Sequence, residues 1–134
     1  MGARWPGDVE VTGQLFPVPP AMSERVWQTT LQEGLKREGW AYQHVYRTKT
    51  AKGQWATSTT ATGWPDLVAL RGPHILAIEC KAAKGRVGPH QVEWLARFHE
   101  LDCGLAWLLS PLDDWQAVAD WLHTPEAAPR RHGW

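Results

Sequence analysis

Asp66, Glu79 and Lys81 have the residue types and spacing for metal-assisted hydrolysis of a phosphodiester. Two apolar segments, Pro65–Leu70 and Ile75–Lys81, read as strands joined through Arg71-Gly72-Pro73-His74. If Gly72-Pro73 is a two-residue turn, Arg71 faces His74, and continuing that register sets Asp66 opposite Glu79. Type II′ geometry wants glycine first and accepts a negative φ second, so Gly-Pro is compatible; a bulge would shift the register by one. Directly opposed residues have Cβ atoms about 4.5–5.5 Å apart. Two carboxylates at ~5 Å repel by roughly 3 kcal/mol at an effective dielectric of 20. Protonating one of them, or placing a cation between them, relieves that repulsion. Hard divalent ions such as Mg²⁺ or Mn²⁺ suit such oxygen donors. Period-two geometry also puts Lys81 on the face of Glu79 and turns Cys80 to the opposite, apolar side. A bound metal would activate water and shield a phosphate, while the ammonium orients water or stabilises developing charge. The same three residues would also make an ordinary surface ion-pair cluster, and geometry alone leaves both readings open.

The elements that must position these residues are legible around them. Ser23 is a good N-cap for a helix that ends before Gly39, with Trp27, Leu31 and Leu35 as its buried stripe. Glu24 and Gln28 extend that stripe toward the helix start. Residues 40–47 alternate as a strand. Residues 48–63 form a long connection without periodicity, of a kind that is often functional. After the two central strands, a basic loop at 83–88 leads into a helix from Pro89 to about Asp102, with proline at its first position. Leu105–Leu109 is a continuous apolar run, as in a buried strand, and Asp113 or Asp114 opens a last helix. The order α-β-β-β-α-β-α predicts a mixed four-stranded sheet flanked by helices, an α/β fold.

At this point the residues carry a resemblance. Gly63-Trp64-Pro65-Asp66-Leu67 followed by Ile78-Glu79-Cys80-Lys81 resembles the signature of the PD-(D/E)XK nuclease superfamily, whose core is restriction-endonuclease-like. Ser23-Glu24 with Gln28, Lys84-Gly85-Arg86, and Pro89-His90-Gln91 are similar to the VRR-NUC branch of it. The resemblance spans about residues 23–122. It implies that Asp66 and Glu79 hold a metal, with the Cys80 backbone carbonyl as a further ligand and Glu24 approaching from the first helix. It implies Lys81 as the catalytic lysine and Gln91 as a residue that positions it, a water or a phosphate. His90, just before the glutamine, departs from the usual pattern. Stand-alone VRR-NUC proteins of phages and bacteria are similar to this chain in size and are associated with four-way-junction cleavage. Branched DNA is therefore the expected substrate, a Holliday junction first, with a flap or other structure as the alternative. A symmetric junction needs two cuts, which favours a homodimer. A noncatalytic DNA-binding module of the same fold and a nucleotide phosphohydrolase are the competing readings.

Composition narrows the classes further. The chain has 134 residues, 43% hydrophobic and 21% charged, with a net charge of zero. That length suits one domain. We expect an irregular arm at 1–21, with a short hairpin near residues 9–16, a nuclease domain at 22–123 and a flexible tail at 124–134. Zero net charge argues against a protein that coats nucleic acid electrostatically. Positive residues nonetheless gather beside the candidate site. Lys49 and Lys52 in the long loop, with Lys84 and Arg86 after the second central strand, are the expected phosphate contacts, which position DNA without reading its sequence. Cys80 and Cys103 lack metal-ligand spacing and read as buried thiols. Most of the ten tryptophans read as packing residues, with Trp55 and Trp64 as candidates for base stacking. His44, His74 and His99 show no ligand spacing. No apolar run reaches the roughly 18 residues that span a bilayer, and no signal peptide is visible. No membrane role, no nucleotide cofactor and a cytoplasmic location, a host's if phage-encoded, are expected.

Overall fold

The computed structural model describes residues 23–134 apart from 46, 50, 54, 58–59 and 83–85, with backbone alone at 47–49 and 55–57. The expected N-terminal arm, its hairpin and Lys84 lie outside the described residues, as do the side chains of Lys49 and Trp55.

Helix α1 runs Glu24–Arg37, and the Ser23 hydroxyl accepts the Val26 N–H at 3.2 Å, satisfying one of the donors a helix start leaves open. Strand β1 (Ala41–His44) follows, then a small antiparallel ribbon of β2 (Arg47–Lys49) and β3 (Trp55–Thr57) inside the long connection. Strands β4 (Leu67–Arg71) and β5 (His74–Cys80) form the central hairpin. Helix α2 (Pro89–His99) crosses to β6 (Gly104–Leu109), which lies parallel to β5. Helix α3 (Trp115–His123), a 3₁₀ turn at Pro125–Ala127 and β7 (Arg131–His132) complete the chain. The sheet order is β1-β4-β5-β6-β7, antiparallel on the β1 side and parallel on the β7 side.

Alternation along the strands divides the core in two. Leu67, Leu76, Ile78, Cys80, Trp107 and Leu109 pack against Trp27, Leu31 and Leu35 of α1 and Val118 and Leu122 of α3. Ala77 and Ala106, on the other face, pack against Leu95 and Phe98 of α2. Among the described residues, no helix is long and apolar enough to cross a membrane.

The mixed α/β sheet is as expected, but it has a fifth strand, and the strand comes from the segment read as a flexible tail. Arg130 is the reason. Its guanidinium donates to the carbonyls of His99 and Leu101 at 2.6 and 2.8 Å and to that of Gly104 at 3.2 Å, closing the carboxyl end of α2. Trp107 donates to the Pro129 carbonyl and Trp134 to that of Ala106, both at 2.8 Å. A Pro/Arg-rich stretch looks frayed in sequence because these anchors are distant carbonyls, which periodicity does not encode.

Candidate active site

The hairpin register is the one expected from the turn. Arg71 pairs with His74 and Leu67 with Ile78. Gly72 has φ +58°, the left-handed region that glycine enters without penalty, and Pro73 follows it. One step past the ladder, Asp66 lies beside Glu79 and Cys80. The Asp66 carbonyl accepts the Val45 N–H at 2.9 Å, and its Oδ2 accepts the Cys80 N–H at 2.8 Å. Asp66 is 7% exposed and Glu79 1%, and they are the buried charged side chains among the described residues. Burying a carboxylate costs several kcal/mol unless it is compensated. Two such groups at one strand end are the mark of a functional site more than of a stabilising one.

Glu79 faces α2. Its Oε2 accepts from Gln91 Nε2 at 2.6 Å and lies 3.6 Å from Lys81 Nζ. Gln91 serves two elements at once. Its Oε1 accepts the Gly88 N–H at 2.7 Å, at the start of α2, which leaves the NH₂ end for the carboxylate. Lys81 is held at its own backbone, whose N–H donates to the Leu109 carbonyl at 2.9 Å.

The Gly-Trp-Pro-Asp run clamps the approach to Asp66 onto α2. A Cβ on Gly63, which has φ +84°, would sit 2.6 Å from the His90 carbonyl carbon, so only glycine lets the loop come this close. Trp64, partly buried, packs edge-on against Trp94 and Phe98, with ring centres 4.9 and 5.5 Å away. Trp94 donates to the Thr62 carbonyl at 3.0 Å.

The Cys80 thiol marks where the charges meet. Burial is the first cause pushing it well above its ordinary value, followed by the negative charges of Asp66, Glu79 and Glu24, while Lys81 opposes them. Glu24, in the first turn of α1, is thus among the charges felt at the Cys80 thiol. A thiol raised in this way stays protonated when folded, whereas in the unfolded chain it ionises near its ordinary 9.0. Its contribution to stability is complete below that pH and is lost as pH rises toward the folded value. We expect wild-type unfolding free energy to fall more steeply above pH 9 than that of Cys80→Ala, in denaturant titrations across pH. Cys103, expected to be a buried thiol, is instead exposed, in the turn between α2 and β6, so we expect iodoacetamide to modify Cys103 and spare Cys80; labelling of native Cys80 would contradict the burial.

Lys52 and Arg86 are exposed, and His90 is exposed and paired with Glu93 at 3.5 Å. His44, which its spacing gave no reason to single out, is hydrogen-bonded to Gln28 and Gln32 of α1. Burial holds its imidazole below the ordinary value, and the charge of Asp66 partly offsets this.

Among the described residues, no three His, Cys, Asp or Glu side chains form a ready metal cluster. The test is therefore the donor chemistry of the two buried carboxylates. Asp66 and Glu79 bring two carboxylates to the strand end against the one ammonium of Lys81. Hard oxygen donors of this kind fit a divalent cation such as Mg²⁺ or Mn²⁺.

Residues 27–127 match the model of a protein family described as archaeal Holliday junction resolvase (Hjc). No curated protein and no solved structure matches the chain. The matched span contains Asp66, Glu79, Lys81 and Gln91; Glu24 lies before it.

Proposed function

Because this chain belongs to the archaeal Holliday junction resolvase family, within the PD-(D/E)XK nuclease superfamily, we propose that it is a metal-dependent endonuclease that resolves four-way DNA junctions. The observation that carries the site is the buried pair Asp66 and Glu79 at one strand end, braced by the Cys80 N–H and by Gln91 and Lys81.

In this reading Asp66, Glu79 and the Cys80 carbonyl hold the metal, and Glu24 approaches it from α1. A bound Mg²⁺ or Mn²⁺ would lower the pKa of a water and neutralise charge on the phosphate. Lys81 supplies a fixed ammonium beside Glu79, where it orients the water or stabilises the phosphorane-like charge. Gln91 holds the Glu79 carboxylate so that its other oxygen keeps one direction. The attacking water gives up a proton to solvent and its oxygen bonds to phosphorus as one ester P–O bond breaks, and the departing oxygen takes up a proton from solvent. Lys49, Lys52, Lys84 and Arg86 contact phosphates on either side of the cut. The likeness of Ser23-Glu24, Gln28, Lys84-Gly85-Arg86 and Pro89-His90-Gln91 to the VRR-NUC branch supports the roles of Glu24 and Gln91. Two symmetric cuts call for two sites, so the working form is a homodimer.

The test uses labelled four-way junction, flap and linear duplex, each with Mg²⁺, Mn²⁺ or EDTA. We expect paired cuts in the junction with either ion and none in EDTA. Equal cutting of linear duplex would remove the junction assignment and keep the nuclease; cutting of flaps alone would move the substrate. A monomer both free and on DNA would contradict the dimer.

A further inference from the structure

We propose that His44 is a positioning residue, which acts through Gln28 to hold the Glu24 carboxylate at the edge of the site. The inference rests on the reading of Glu24 as a site residue and adds the means by which it is held. Gln28 Nε2 lies 3.3 Å from Glu24 Oε2, and Gln28 Oε1 lies 3.1 Å from His44 Nε2. His44 Nδ1 lies 3.3 Å from Gln32 Nε2. An ionised carboxylate only accepts hydrogen bonds, so the NH₂ end of Gln28 must face Glu24 and its carbonyl must face the imidazole. His44 then donates through Nε2 and accepts at Nδ1 from Gln32. Every donor and acceptor in the run Gln32, His44, Gln28, Glu24 follows from the carboxylate at its end.

The placement gives this run a purpose beyond joining a helix to a strand. His44 ends β1, opposite Leu67, and the next residue, Val45, donates to the Asp66 carbonyl. The strand end that fixes the Asp66 backbone therefore also fixes Glu24, by way of the imidazole. Glu24 itself sits in the first turn of α1, where a long side chain has rotamers to lose. Two bonds in series remove that freedom before any substrate arrives, which is how supporting residues keep a reacting constellation in place.

The test combines a spectrum with a double-mutant cycle. Long-range ¹H–¹⁵N correlation on the metal-free protein should show His44 as the Nε2–H tautomer. Single-turnover cleavage of a four-way junction at saturating protein is then measured for wild type, Glu24→Gln, His44→Ala and the double variant, with DNA affinity and melting in parallel. His44→Ala should slow cleavage about tenfold, in the range for residues that support a reacting group, with DNA affinity unchanged. His44→Gln, whose amide can donate to Gln28, should recover most of the rate. In the Glu24→Gln background, His44→Ala should add no further loss, because coupled residues are not additive. Equal slowing by His44→Ala in both backgrounds would overturn the relay, as would the Nδ1–H tautomer. A slow Glu24→Gln beside a wild-type rate for His44→Ala overturns the relay alone. Wild-type rates for Glu24→Gln overturn the site role of Glu24, and the relay with it. A wild-type chain that cuts no branched DNA overturns the functional reading itself.

Discussion

Asp66→Asn is expected to lower the single-turnover rate of junction cleavage by on the order of 10³-fold, the scale at which loss of one group that stabilises the reacting charge is felt. It should do so without cost to the fold. The Asp66 carboxylate accepts the buried Cys80 N–H at 2.8 Å, and the asparagine carbonyl can accept the same bond. Alanine would leave that N–H without an acceptor, which costs about 1–3 kcal/mol, and would confuse loss of chemistry with loss of structure. Removing one of two neighbouring buried negative charges also relieves repulsion, so the melting temperature of Asp66→Asn should equal or exceed that of wild type. Junction binding, measured in Ca²⁺ or EDTA, should persist. Wild-type cleavage by Asp66→Asn would sink its assignment. A variant that loses both activity and stability would instead make Asp66 a structural residue.

How far the site could be read in advance follows from how local each part is. Strand alternation and a two-residue turn determine the register that sets Asp66 opposite Glu79 within one short stretch of chain. Helix α1 was equally plain, from its cap at Ser23 and the four-residue spacing of Trp27, Leu31 and Leu35. Gln91 had two readings, a polar residue at a helix start and a site residue. The geometry accommodates both, since Oε1 meets Gly88 and Nε2 meets Glu79.

What escaped were the contacts made between segments far apart in the chain. His44 carries no spacing that ties it to Gln28 and Gln32; only the docking of α1 beside β1 does that. Strand β7 escaped because Arg130 and Trp134 read as tail residues until the carbonyls of β6 and α2 are placed beside them. The β2–β3 ribbon has three residues on each side, too few for alternation to stand out from a loop rich in Thr, Ala and Gly.

Lys81→Met should slow the chemical step by about 10²–10³-fold and leave DNA binding almost intact. The strand that carries it is fixed independently of the ammonium, through the Lys81 N–H to Leu109, and Gln91 still donates to Glu79 in its absence. Methionine retains the apolar stem, so the change removes charge and little else. Lys81→Arg should not restore the rate, because a planar guanidinium cannot take the place of a compact ammonium 3.6 Å from Glu79 in a side chain only 17% exposed. Lys52 and Arg86 supply the contrast. Both are exposed, and Lys52→Ala or Arg86→Ala should weaken binding and reduce the slope of log affinity against log salt by about 1 each. Rates at saturating protein and affinities across salt thus separate a cation beside the reacting phosphate from cations that hold the polymer. If Lys81→Met loses affinity and salt slope but cuts at the wild-type rate once saturated, Lys81 belongs with the second group, and the site must find its positive charge elsewhere.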